Sequence, residues 1–312
     1  MATTNNITTT YAGEFAGKYI GPALLNANTI FNGGIEVKPN IKYKEVIKRL
    51  SIDGLMSDST CDFTPVGDLD MDERILEPKE MQVNLQLCKA DYRSDWEAEA
   101  MGYSAHDSLP PSFSDFLISR VAGKVAEANE KNLWNGDKNV SGQFDGFITI
   151  LENDATASGA TAVAGTSIDA TNVIIELGKV VDAIKQEVYS REDLSIYVAP
   201  NVARAYVRAL GGFAAAGLGG SGTDAKGTQW FTDGSLTFDG ISLFVCNGMT
   251  SNQMVAAEKS NLYFGTGLVA DEQEVKVIDM ADIDGSQNVR MVMRFTAGVQ
   301  VGVPGDIVIY TA

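Results

Sequence analysis

The sequence predicts a mixed α+β fold, on three observations. Residues 34–91 carry two stretches of alternating apolar and polar residues around a long polar segment, which reads as a two-stranded excursion. Residues 112–135 place Phe113, Phe116, Leu117, Val121, Val125 and Ala128 at helical spacing between Pro110-Pro111 and Asn135-Gly136. From residue 236 onward strand signals dominate. The 312 residues set the scale at about two lobes or one elaborate domain.

Taken in chain order, residues 1–33 are rich in Thr, Asn, Gly and Ala and read as an extended arm, with Ile20, Leu24, Leu25, Ile30 and Phe31 as an apolar anchor. Within 34–91 the flanking strands fall at Ile41–Val46 and Met81–Leu87. The first limb is basic (Lys38, Lys42, Lys44, Lys48, Arg49). The second is acidic (Asp58, Asp62, Asp68, Asp70, Asp72, Glu73, Glu77), with Arg74 opposing. A two-stranded ribbon of this length is marginal alone in water, so it implies support from another surface. The 112–135 segment predicts a helix of about 22 residues, roughly 33 Å long at 1.5 Å per residue.

Residues 152–170 read as a loop, after which Asp169 or Thr171 caps a helix with Val173, Leu177, Val180, Val181, Ile184 and Val188 on its apolar face. Leu194–Ala199 is a buried strand that Pro200-Asn201 breaks to open a short helix. Helix, strand, helix marks an α/β lobe. Gly211 to Gly227 holds seven glycines in seventeen residues and reads as a flexible surface loop. Beyond it, Asp239-Gly240 sits between Leu236, Phe238 and Ile241, Leu243, Val245 as a hairpin turn. Strands follow around Val275–Val277, Arg290–Phe295, Val299–Val303 and Ile307–Tyr310. No internal repeat is visible.

Composition removes several function classes. Forty-one acidic against 24 basic residues give a net charge of −17, which disfavours a DNA reader built on Lys and Arg. No run approaches the roughly 18 to 20 apolar residues that cross a bilayer, and Met1–Asn6 lacks the basic and apolar regions of a signal peptide. Cys61, Cys88 and Cys246 are widely spaced, which argues against a disulfide framework and for a reducing compartment. A single histidine, His106, leaves little for a His-based metal site or triad.

The sequence shows no catalytic constellation. The 211–227 loop ends in Lys226-Gly227-Thr228 but runs into Gln229-Trp230-Phe231, so it lacks the helix start of a phosphate loop. Phe264-Gly265-Thr266-Gly267-Leu268 is half of a dinucleotide motif and reads as a turn. Asp68, Asp70 and Asp72 lack the register of a calcium loop. No nucleophile stands beside His106-Asp107. The expectation is a protein that is not an enzyme and uses no cofactor and no metal.

In this order the elements resemble the major capsid proteins of tailed phages, the Hong Kong 97-type shell fold. Three passages add to the match. They are Ile196-Tyr197-Val198-Ala199-Pro200-Asn201; Phe238-Asp239-Gly240-Ile241-Ser242-Leu243-Phe244-Val245 with Met249, which lacks the family's proline; and Arg290–Phe295 through Gly302-Val303-Pro304-Gly305-Asp306-Ile307-Val308.

The resemblance implies a Hong Kong 97-like architecture: an N-terminal arm (1–33), an E-loop β-hairpin with flanking strands (34–91), and a P-domain with the long spine helix (92–150, spine about 112–135). An α/β A-domain with an axial loop (151–235, loop 211–227) and closing strands of both domains (236–312) complete it. It further implies a structural protein that self-assembles into hexamers and pentamers of an icosahedral shell around double-stranded DNA, made in the host cytoplasm. Its partners are copies of itself, scaffold, portal and decoration proteins, and DNA held without specific binding, with no membrane. Inter-subunit contact candidates are Lys38, Lys42, Lys44, Lys48, Arg49, Asp68, Asp70, Asp72 and Glu73, plus Phe213 and Leu218 of the axial loop; opposite charges on the two limbs would set register between subunits.

The family's lysine–asparagine cross-link is not carried over, because these lysines lie at the ribbon's base. A scaffolding segment is missing, removed before this numbering, or a separate protein. The rival readings are an encapsulin-type compartment shell around a cargo enzyme, and an enzyme with 211–227 as its active-site loop.

Overall fold

The computed structural model of the protein describes residues 28–54, 56, 58, 59, 61, 67–88, 111–155, 159–212, 236–267 and 275–312. The expectations for residues 1–27, His106 and the body of the glycine loop fall outside these.

The described chain opens with one helical turn, α1 (Asn28–Phe31), that is sewn to the body. The Asn28 side chain donates to the Val245 carbonyl and accepts from the Asn247 amide, and the Trp134 indole donates to the Thr29 hydroxyl at 3.2 Å. Residues 28–33 therefore do not belong to a free arm: Thr29 is buried and Ile30 packs on the core, while Phe31 stays 82% exposed. Gly33 takes φ 66°, a left-handed turn open to glycine, and leads into β1 (Glu36–Lys38).

A ribbon follows. β2 (Glu45–Asp53) and β3 (Asp68–Leu76) pair antiparallel from Glu45↔Leu76 to Asp53↔Asp68. The alternation at 41–46 placed the first strand too early. Asn40 adopts φ 64°, and the Ile41 amide is held by the Thr266 carbonyl at 3.0 Å with its side chain buried. This pins 40–41 to the body before the strand begins. After Pro78 the chain enters β4 (Lys79–Cys88).

β4 lies against the longest strand, β12 (Asn288–Val301), in ten antiparallel pairs. The other edge of β12 takes β11 (Val275–Asp279) and, further along, β10 (Leu262–Thr266), beside which β1 lies parallel. Period-two alternation puts Met81, Leu87, Val289, Met291 and Met293 on one buried face and Gln82, Asn84, Gln86, Arg290 and Arg294 on the other. The short α7 (Ala281–Asp284) joins β11 to β12 and ends at Gly285 in the left-handed region.

The long helix α2 spans Pro111–Asn135, close to the expected 112–135, and α3 (Phe147–Ala155) packs on it and on β12. A second sheet of six strands runs in the order β5 (Thr161–Ala164), β13 (Val308–Thr311), β9 (Met254–Glu258), β6 (Leu194–Val198), β8 (Ile241–Val245), β7 (Leu236–Phe238). Residues 152–170, read as a loop, thus contain the end of α3 and the whole of β5, whose Thr161, Ala162 and Val163 pair with Val308, Ile309 and Tyr310. A strand of only four residues, Thr161-Ala162-Val163-Ala164, is too short and too rich in small side chains to stand out in sequence.

The helix expected to run through Val188 is broken in two, α4 (Val173–Asp182) and α5 (Gln186–Tyr189). Lys185 takes extended backbone (φ −64°, ψ 145°), which turns Val188 back into the core. Asp169 acts just before α4: its Oδ1 accepts from the Thr171 and Asn172 amides. α6 (Pro200–Gly212) starts at Pro200, as expected, and the Asp239-Gly240 turn has positive φ at both residues (48° and 82°), the geometry of a tight hairpin.

Both sheets share one apolar core. At its centre the Trp134 ring lies 5.5 Å from Phe147 and 5.3 Å from Tyr197, which in turn lies 5.6 Å from Phe244. This aromatic line ties α2, α3, β6 and β8 together and leaves the β2–β3 ribbon as the part of the described chain that adds no strand to either sheet.

Candidate assembly surfaces

Cross-strand partners share a face, so the ladder register sorts the ribbon's side chains. One face carries Glu45, Ile47, Arg49, Ser51 and Asp53 opposite Leu76, Arg74, Asp72, Asp70 and Asp68. Near its root this face meets the body: Leu76 is fully buried, Arg74 donates to the Val301 carbonyl at 3.4 Å, and Gln300 donates to the Ile75 carbonyl at 2.8 Å. The other face carries Val46↔Ile75, Leu50↔Met71 and Ile52↔Leu69 around Lys48↔Glu73. All six of its apolar side chains are exposed, Leu50 at 56% and Met71 at 74%.

An amphipathic ribbon with its apolar side turned to water presents the kind of patch that marks interaction surfaces. In the sequence this apolar ladder is blurred: Leu50 and Ile52 alternate with polar neighbours, but Val46 is followed by Ile47 and the face between Val46 and Leu50 carries Lys48.

The charges of the two limbs meet across this one ribbon. Arg49 Nη2 lies 2.6 Å from Asp72 Oδ2, Lys44 lies 2.9 Å from Glu77, and Lys48 stands opposite Glu73 in register. Lys38 reaches Glu45 at 2.6 Å and lies 4.9 Å from the centre of the Tyr263 ring. The hydrogen bond to Glu45 lifts its ammonium above the usual lysine range. Each of these cations thus has an acid of its own chain in reach. Asp68 faces Asp53, and Asp70 faces Ser51, so the acidic end of the ribbon keeps unbalanced charge. Lys42 is exposed and lines a groove between α2 and the five-stranded sheet, with Met81, Val83 and Phe295 on one wall and Val125 and Ala128 on the other. Phe213 and Leu218 lie outside the described residues.

The groups suited to chemistry are dispersed. Cys61 is exposed, Cys88 half-buried and Cys246 buried, where burial pushes its thiol well above the usual range. Among the described residues no group of three or more His, Cys, Asp or Glu is placed to hold a metal ion, and no described helix is long and apolar enough to cross a membrane. The buried carboxylates serve the fold. Glu130 is bonded to Thr29, and burial raises its proton affinity. Glu176 Oε2 lies 2.8 Å from the Tyr310 hydroxyl; burial, with this bond second, pushes the phenol up to about 12.

Two sheets bound by a long helix, with a projecting ribbon, make an α+β chain, and this chain has the fold of phage capsid proteins. It is similar to the capsid chain of a native GTA particle (TM-score 0.64, 13% identity, covering 94% of this chain and 93% of that one). It is also similar to the capsid chain of the cyanophage P-SCSP1u (0.59, 14%, 99% and 96%) and to that of the Myoviridae phage XM1 (0.57, 13%, 100% and 96%). No protein-family model and no curated protein matches the sequence.

Proposed function

We propose that the protein is a structural major capsid protein, which self-assembles into the hexamers and pentamers of an icosahedral viral shell enclosing double-stranded DNA. The observation that carries this reading is the β2–β3 ribbon: six exposed apolar side chains on one face of a two-stranded unit that adds no strand to either sheet. Such a ribbon is marginal in water and gains its stability by burying that face on a neighbour. The fold likeness to capsid chains over nearly their full lengths supports the same conclusion. In this reading residues 34–91 are the E-loop, 92–150 the P-domain with α2 as its spine, 151–235 the A-domain, and 236–312 the closing strands.

The protein's work is then mechanical, with copies of itself as the partner and rings of five and six as the product of heterologous contacts that close. A net charge of −17 leaves packaged DNA unbound to the wall. Scaffold, portal and decoration proteins would complete the particle.

Electron microscopy and sedimentation of the full chain, alone and with its scaffold, test the proposal. Rings or closed shells are expected. A monodisperse single chain at high concentration under both conditions, with the ribbon amides protected from exchange, would overturn it.

A further inference from the structure

At the root of the ribbon lies a cleft of about 210 Å³, walled by Ile47 and Lys48 of β2 on one side and by Asn261, Tyr263 and Val303 on the other. Two side chains on its lining are half-satisfied in complementary ways. Arg49 gives Nη2 to Asp72 at 2.6 Å, while its Nε is shielded from solvent and has no acceptor. Glu258, only 5% exposed, takes Arg191 Nη1 on Oε2 at 2.9 Å, while its Oε1 is buried with no donor. One surplus donor and one surplus acceptor, both charged and both out of water, therefore share a small cleft between a ribbon and its body. A buried polar group without a partner is costly, and more so when charged.

We propose that the ribbon root is a strap poised to close, in which Arg49 Nε moves onto Glu258 Oε1 and pins the ribbon against the body. Closing keeps both existing ion pairs. A guanidinium presents five donors in a rigid fork, so Arg49 keeps Asp72 on Nη2, and a carboxylate has two oxygens, so Glu258 keeps Arg191. The product is an alternating chain, Asp72–Arg49–Glu258–Arg191. Closure would release water from the cleft.

The bonds of the ribbon to the body at Arg74 with Val301 and at Ile75 with Gln300 would serve as the hinge of this movement. The strap would fix the angle at which the apolar face is presented. The inference rests on the geometry of a single chain and is read on unassembled protein, so it stands or falls apart from the shell reading.

The test is amide hydrogen exchange of the full chain, kept dilute, across residues 45–53 and 68–76, with the amides of β6 and β9 as an internal control. Arg49→Lys keeps the cation but removes Nε, and is expected to speed ribbon exchange about tenfold, the size of a hydrogen bond to a charged group. Asp72→Asn removes only the exposed cross-strand pair and is expected to speed it less than about fivefold. Glu258→Gln should match Arg49→Lys, and the double variant should exceed neither. An Arg49→Lys effect no larger than that of Asp72→Asn, which is the result if water alone fills the cleft, would overturn the proposal. So would effects of Arg49→Lys and Glu258→Gln that multiply. Should Glu258→Gln disturb the control amides, the comparison of Arg49→Lys with Asp72→Asn decides alone.

Discussion

Thr29 donates both its backbone amide, at 3.3 Å, and its hydroxyl to the carboxylate of Glu130, 101 residues further along the chain. The Trp134 indole donates to the same hydroxyl, so one threonine joins the first described turn to the long helix. Replacing Thr29 with Val keeps the shape but leaves the indole and a carboxylate oxygen without their partner. It should cost about 1–3 kcal/mol, the penalty of an unmet buried polar group, read as a lowered thermal midpoint.

Glu130 also makes that joint sensitive to pH. Burial raises its proton affinity, and its hydrogen bonds to Thr29 and to the Gly248 amide offset that only in part. The folded chain thus holds this proton more tightly than the unfolded one. Its stabilising contribution is full below the ordinary carboxylate range and is lost as pH rises through the raised folded value. Glu130→Gln removes the titration. Melting curves of both proteins from pH 7.5 down to 4.5 should show the wild type gaining on the variant as the solution is acidified. A constant gap between the two would contradict this.

Leu50 and Met71 face each other on the exposed side of the ribbon. Leu50→Asp with Met71→Lys, an opposite-charge cross-strand pair, should change the thermal midpoint of the isolated chain little, since exposed substitutions rarely exceed about 0.5 kcal/mol. It should abolish rings and shells, because each new charge would have to be desolvated in the contact. Sedimentation and microscopy read the two effects separately, and particles of normal yield would remove the ribbon from the assembly contacts.

What the sequence disclosed follows from how strong each local signal is. The α2 helix, the Asp239-Gly240 hairpin and the Pro200 helix start are written in periodicity and turn chemistry within a few residues, and they fell where expected. The start of β2 was misplaced because the alternation of Ile41–Val46 is genuine in sequence, while the cause that overrides it, the Ile41 amide bonded to Thr266, lies 225 residues away. β5 was missed for a similar reason, since its order comes from pairing with β13 at the far end of the chain. The cross-ribbon pairing of Arg49 with Asp72 needed a register, which only the structure supplies. The cleft beneath it joins β2, β9 and the turn after β12, segments that no linear pattern brings together.

Cys61 and Cys246 should react at very different rates with a thiol reagent. Cys61 is exposed, whereas Cys246 is fully buried and burial holds its thiol well above the usual range. Mass spectrometry after brief maleimide treatment of the native protein should find Cys61 labelled and Cys246 untouched, with Cys246 labelled only in denaturant. Early labelling of Cys246 would mean that the anchoring of the first turn beside it opens readily.

Two glycine-to-alanine changes should have opposite signs. A Cβ on Gly248 would sit 2.0 Å from the Glu130 carbonyl oxygen, a backbone atom held inside α2 that cannot step aside. The helix and the turn after β8 would have to separate, taking with them the Gly248 amide that bonds the Glu130 side chain. Overpacking of this kind costs about 1–3 kcal/mol. A Cβ on Gly178, within α4, meets nothing inside 4 Å, and its backbone is already helical. There alanine stabilises by about 0.5–1 kcal/mol, because it restricts the unfolded chain without straining the folded one. Thermal midpoints should therefore fall for Gly248→Ala and rise for Gly178→Ala. A neutral Gly248→Ala would show that the contact between α2 and the 247–248 turn has slack, and with it the seat of the Thr29 anchor.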